Sequence, residues 1–232
     1  MAKAPRAGTS KTRLCPPLRP EQAAALSGAF LRDMCALVQA VATADLFVAY
    51  APAAARAEMR AHVPAEARLL AATGESVNEP GVEGFGRALL EAMRTLFALG
   101  YGAACVLNSD SPTLPTDYLA EAAERLLTTR ESAVLGPTGD GGYYLLGLTR
   151  PEPRMFAGIA WSTASVAATT RARAAEAGLA YSELARWNDV DDAAGLARLR
   201  RELDHMPGAP ATRAALADMG MTARPDARVR EA

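Results

Sequence analysis

Apolar side chains recur at helical spacing over residues 21–41, where Ala25, Phe30, Met34, Leu37, Val38 and Val41 share a face and Pro20 stands where a helix can begin. Residues 45–50 (DLFVAY) form an apolar run of strand length, and the alanine-rich stretch 53–61 reads as a helix. Residues 85–99 predict a second amphipathic helix, stopped by Gly100. The run 103–107 (AACVL) predicts a strand that flows directly into Asn108, Ser109, Asp110, Ser111 and Pro112. A helix is expected over 116–128, with Thr116 or Asp117 near its N-cap. A short strand over 132–135 is expected to break at Gly136 and Pro137, and residues 143–148 (YYLLGL) predict another. Two more helices follow, over 163–177 and 191–203. From residue 205 onward the periodicity fades into Pro, Gly, Ala and Arg, so 205–232 reads as a loosely attached or disordered tail behind a single domain over 1–204.

Strands alternating with helices predict an α/β fold with a mostly parallel sheet covered on both faces. In such sheets ligands sit beyond the carboxyl ends of the strands, so the polar segments that directly follow apolar runs carry the interest. The chain opens inside a loop-like segment. No apolar run precedes Lys3, so the expectation is a natural start some residues earlier, or a missing first strand.

Composition narrows the function classes. Basic and acidic residues number 25 and 26, a balance that argues against nucleic-acid binding driven by bulk charge. No apolar run approaches the roughly 20 residues that span a bilayer, and no apolar segment follows the basic N-terminus as in a signal peptide. Cys15, Cys35 and Cys105 are scattered and form no metal-ligand spacing, which fits a reducing, cytoplasmic setting. With only His62 and His205, neither in a motif, no Ser/His/Asp triad is supported.

Five segments remain. The first, residues 3–14, joins Gly8 to Lys3, Arg6, Lys11 and Arg13. Glycine lets backbone amides approach phosphates and the cations offset their charge, but a solvated basic terminus fits as well. It is not a P-loop, because Ser10 stands where that motif needs its second glycine. Next, Asp110 at a strand end among small polar residues suits Mg²⁺ or Mn²⁺, although a turn before a helix explains the same residues. The run Gly139-Asp140-Gly141-Gly142 reads as a hairpin turn that can also bring backbone close to a ligand. Ser162 or Thr163 is expected to N-cap the following helix, where an anion can also bind. Last, Asp189, Asp191 and Asp192 repel one another unless they cap a helix or hold a cation, and a partnership with Asp110 would favour the cation.

Taken in order, K-A-P-R-A-G-x-x-K-T-R-L, S-D-S-P, G-P-x-x-D-G-G-Y-Y-L-x-G-L, W-S-T and D-V-D resemble a bacterial family of small GT-A-fold, glycosyltransferase-like proteins, associated with radical-SAM and arsenosugar gene clusters. More distantly the set is similar to 2-phospho-L-lactate guanylyltransferase and the molybdenum-cofactor guanylyltransferases. The resemblance implies a three-layer α/β/α sandwich of the nucleotide-diphospho-sugar transferase kind. It implies Lys3, Lys11 and Arg13, with Gly8, as the phosphate loop, and Asp110 with Asp191, or second Asp189, as the metal carboxylates. It also implies Gly141 and Gly142 lining the acceptor pocket, with Ser162 and Thr163 contacting the acceptor's anionic group. Asn108 departs from the glycine common in the family, and residues 84–87 replace its usual run.

Two chemistries fit these expectations. One is nucleotidyl transfer from a nucleoside triphosphate to a small anionic acceptor, with Lys11, Arg13 and Asp110 at the chemical step. The other is glycosyl transfer from a nucleotide-sugar to a hydroxyl acceptor. A non-catalytic nucleotide-binding protein on the same fold is a third reading. Homodimerisation stays open.

Overall fold

The computed structural model describes residues 1–221. Strand β1 (Ala2–Lys3) leads through a loop and a tight turn to helix α1 (Pro20–Gln39) and strand β2 (Phe47–Ala51). Then come α2 (Arg56–Arg60), β3 (Arg68–Ala71), α3 (Phe85–Ala98), β4 (Ala104–Leu107) and α4 (Thr116–Thr128). The hairpin β5 (Ser132–Pro137) and β6 (Tyr143–Leu148) precedes α5 (Val166–Glu176), β7 (Ala180–Glu183), α6 (Ala193–His205) and α7 (Pro210–Asp218).

The strands form two sheets, β1-β2-β3 and β4-β6-β5-β7. The first is parallel throughout; in the second, β5 pairs in parallel with β7, while β6 runs antiparallel to both β4 and β5. The larger sheet is therefore mixed, where alternation predicted mostly parallel strands. The reason is local: residues 138–142 are too few for a crossover, so β5 must turn straight back. Strand β5 also continues through Gly136 and Pro137, absorbing them in a register shift instead of ending before them.

Strand alternation separates the layers. Ala104, Val106, Ala133 and Leu135 pack with Leu89, Leu90 and Met93 of α3 and Ala167 and Ala174 of α5. On the other face Val134, Tyr144 and Leu145 pack with Met34 of α1 and Leu119, Ala122 and Leu126 of α4. This is the expected three-layer α/β/α sandwich.

Between the sheets lies a seam. Strand β1 pairs with β2 only at Tyr50 and Ala51, and the Met1 amine donates to the Leu107 carbonyl at 2.9 Å. The expectation of no strand before the loop is thus met by a two-residue one. A cavity of about 260 Å³, walled by Val48 and Ala49 of β2, Cys105 of β4, Met34 of α1 and Leu96 of α3, opens beside Met1.

The expectation of a loose tail from residue 205 is corrected over the described residues. Helix α7 docks on α1, where the buried carboxylate of Asp33 accepts from the Ala211 and Thr212 amides (3.0 and 2.8 Å) and the Thr212 hydroxyl (2.6 Å). A charge at a helix N-terminus is favoured by the free amides and the dipole. Residues 222–232 of the expected tail lie outside the described residues.

Candidate active site

The loop after β1 is pinned from within. Ser10 Oγ accepts from the Arg6 amide (2.9 Å) and donates to the Ala4 carbonyl (3.0 Å). Leu14, fully buried, anchors the next turn among Leu26 and Phe30 of α1 and Leu196 and Leu199 of α6. Lys11 sits between these fixed points with left-handed backbone, φ 50° and ψ 40°. Such a conformation costs a non-glycine residue on the order of 1 kcal/mol, which the anchored flanks maintain.

That backbone aims the Lys11 side chain inward, where it is 9% exposed. Its ammonium donates to Asp110 Oδ2 at 2.7 Å, Asp191 Oδ1 at 2.8 Å and the Val190 carbonyl at 2.8 Å. Burial opposes the charge on Lys11, but the two carboxylates outweigh it and hold the ammonium's pKa above its ordinary value. Asp110 follows β4, and its carbonyl accepts from the Val190 amide at 2.9 Å. One backbone bond thus brings the segment before α6 against the end of β4.

Around this cluster lies a cavity of about 460 Å³, lined among others by Lys3, Lys11, Arg13, Asn108, Asp110 and Asp191. Lys3 and Arg13 are exposed, and neither makes an ion pair among the described residues. Arg6, on the same loop, is instead committed to Glu58 at 2.6 Å. Gly8 stands at φ 76° in open space and does not line the cavity.

The three acidic residues of the D-V-D-D run part company. Asp192 caps α6, accepting from the Gly195 amide at 2.8 Å. Asp191 faces Lys11. Asp189 has its pKa raised to about 6 by burial and by the neighbouring charges of Asp191 and Asp140. Among the described residues no three His, Cys, Asp or Glu side chains gather where they could hold a metal ion.

Gly141, Gly142, Ser162 and Thr163 form a neighbouring unit and do not line the cavity. Gly141 has φ 92°, and a Cβ there would meet the Ala164 carbonyl at 2.1 Å, so only glycine allows the hairpin to touch that segment. The Gly141 carbonyl accepts from the Ala167 amide at 2.8 Å. Asp140 is held below the usual carboxylate range; burial opposes this, but hydrogen bonds from Thr138 and the Gly142 amide prevail. The capping expectation for Ser162 and Thr163 is corrected. Helix α5 starts at Val166 with Ser165 at its N-cap position. Ser162 adopts φ 64°, and the Thr163 hydroxyl turns back to the Ala160 carbonyl at 2.7 Å. At α4 the N-cap is Pro115, and Thr116 and Asp117 stand next to it in the first turn, as expected.

Aromatic rings link this unit to the cavity. Trp161 meets Tyr143 and Phe85 edge to face, with centroids 6.4 and 5.5 Å apart. Tyr143 and Phe85 both line the cavity, and Phe85 is half exposed. Gly84, at φ 52° and ψ −126°, turns the chain so that Phe85 opens α3 there. Asn108 Oδ1 and Tyr143 Oη are buried without a protein partner. Both residues line the cavity, but these two atoms are turned away from it and expose no surface there. Sequence reading singled out neither Phe85 nor Tyr143 as a site residue; the glycines flanking Phe85 were the available signal.

Comparisons with known proteins bear on the family and the fold. Residues 34–163 match the family described as "Uncharacterized protein conserved in bacteria (DUF2064)". The fold is similar to a solved structure from Desulfovibrio desulfuricans G20, described as a "putative nucleotide-diphospho-sugar transferase". The TM-score is 0.80 at 28% identity, over 96% of each chain. A comparison with curated proteins found no match.

Proposed function

We propose, from the premise that this chain belongs to the DUF2064 family, that it is a transferase acting on a nucleotide-activated substrate, and that it moves a nucleotidyl group. The observation that carries the reading is the convergence of Lys3, Lys11 and Arg13 with Asp110 and Asp191 on one cavity. The Desulfovibrio structure described as a "putative nucleotide-diphospho-sugar transferase" supports the nucleotide-activated part.

In the proposed reaction an oxygen of a small anionic acceptor bonds to the α-phosphorus of a nucleoside triphosphate. The bond from that phosphorus to the β-bridging oxygen breaks, and pyrophosphate leaves with the electron pair. The protein contributes position and charge, with little covalent work. Lys3 and Arg13 are the exposed cations that meet the phosphates. The half-exposed Phe85 ring offers a face for the base.

The family likeness also implies a divalent ion. Asp110 and Asp191 already share a single cation, the Lys11 ammonium, so the donor set accepts positive charge at that point. Two carboxylates suit Mg²⁺ or Mn²⁺, which takes few protein oxygens and completes its shell with phosphates and water. The residues fit. When bound there, such an ion would neutralise phosphate charge.

A second reading, glycosyl transfer from a nucleotide-sugar, is favoured by the likeness to the Desulfovibrio structure. Calorimetric titration with a panel of nucleoside triphosphates and nucleotide-sugars, with Mg²⁺ and with EDTA, separates the two. Metal-dependent binding of one triphosphate is the expected result. Preference for a nucleotide-sugar would move the assignment to glycosyl transfer, and no binding by either class would sink both.

A further inference from the structure

Lys11 was expected to hold phosphate, yet each of its three ammonium protons has a protein acceptor. An ammonium has three donors and no more, so in this arrangement none is left for a ligand. The side chain is nearly enclosed and its left-handed backbone is held by Ser10 and Leu14 on either side. The ammonium touches one oxygen of each of the two carboxylates that the metal reading assigns to the ion. Lys3 and Arg13, on the rim of the cavity, keep their charges available.

We propose that Lys11 is a resident counter-ion that competes with the divalent metal for the Asp110–Asp191 pair, and that bound phosphates draw it away. This rests on the metal reading above. With an ammonium between them the two carboxylates keep a net charge of −1, and a divalent ion brought to them meets that ammonium as a positive neighbour. Phosphate oxygens give the ammonium another partner, so metal and nucleotide enter together and either alone binds weakly. The coupling is reciprocal by linkage.

The test is Mn²⁺ binding without nucleotide, by calorimetry, on the full chain and on Lys11→Met, Lys11→Gln, Arg13→Met and Asp110→Asn. Lys11→Met and Lys11→Gln are expected to tighten Mn²⁺ by about tenfold or more. Arg13→Met removes the same charge from the rim and is expected to change affinity by less than about threefold, as screened charges do. Equal tightening in the Arg13 and Lys11 variants, or none in the latter, overturns the proposal. If Asp110→Asn then still abolishes Mn²⁺ binding, the metal reading survives that failure. If Asp110→Asn binds Mn²⁺ as the parent does, the metal reading falls and the proposal with it. A second measurement needs no variant. The Lys11 ammonium, shielded by three acceptors, should give its own proton–nitrogen correlation signal, and saturating Mg²⁺ should shift or remove it. A signal unmoved at saturation overturns the proposal.

Discussion

Asp33 and the Asp110–Asp191 pair both draw carboxylate charge away from water, but their partners differ. Asp33, 3% exposed, is met by two backbone amides and a hydroxyl at the start of α7. Those donors are part of a helix and cannot leave without unfolding it. Asp110 and Asp191 are met by an ammonium on a flexible four-carbon stem. Fixed dipoles make a permanent anchor; under the proposal above, a side-chain cation makes a site that can be reopened. One arrangement joins the C-terminal helix to the body, and the other holds two carboxylates on one ammonium.

The contrast can be broken from either side. The largest expected effect is on chemistry. Asp110→Asn should lower turnover by about 10³-fold, or ~4 kcal/mol of transition-state stabilisation, while leaving unfolding within about 1 kcal/mol of the parent. Steady-state kinetics beside urea denaturation check both halves. Asp33→Ala should do the reverse. It strands the donors of α7 and should cost about 3 kcal/mol in urea, with turnover per folded molecule kept within about threefold. Similar losses of activity in both variants would erase the distinction between anchor and site.

A smaller effect is expected at the cavity rim. Phe85→Ala should weaken nucleotide binding by about tenfold, the scale of a single base–aromatic stack, with turnover of saturated enzyme little changed. Unaltered affinity by calorimetry would remove the ring from the site. The smallest effect concerns Asp189. Its folded pKa, about 6, lies above the ordinary 3.8, so the folded state holds the proton more tightly. The stability it contributes is full below the unfolded value and is lost as pH rises through about 6. At about pH 7.5 the wild type therefore carries a penalty, and Asp189→Asn should be more stable by about 1 kcal/mol after discounting for its partial exposure. Melting curves of the two proteins should converge as pH falls below about 6; a gap that widens on acidification would contradict this assignment.

Much of the frame was legible because local periodicity and burial agree. Helix 116–128 and strand 143–148 fall where the pattern puts them. Asp110 drew attention because a carboxylate after an apolar run sits at a strand end. Strand β3 was missed: its four residues are half buried or exposed, with no alternation to betray them. Helix α7 was read as tail because its anchor, Asp33, lies 179 positions earlier than Thr212. The engagement of Lys11 with Asp191 spans 180 positions in the same way. Spacing can nominate such residues but cannot say which of them meet. At residues 161–166 the local rule itself failed, because backbone turned left-handed at Ser162 moved the helix start three residues on.

The seam between the two sheets also sets where the backbone opens. Its roughly 260 Å³ opens to the surface and is bordered by Thr43, Asp45, Asn108 and Ser109 as well as by aliphatic and sulfur-bearing side chains. Strands β2 and β4 face each other across it without sharing a ladder, so the β4 amides turned away from β6 have no strand partner. In hydrogen exchange those amides should open before the ones that β5 and β6 share.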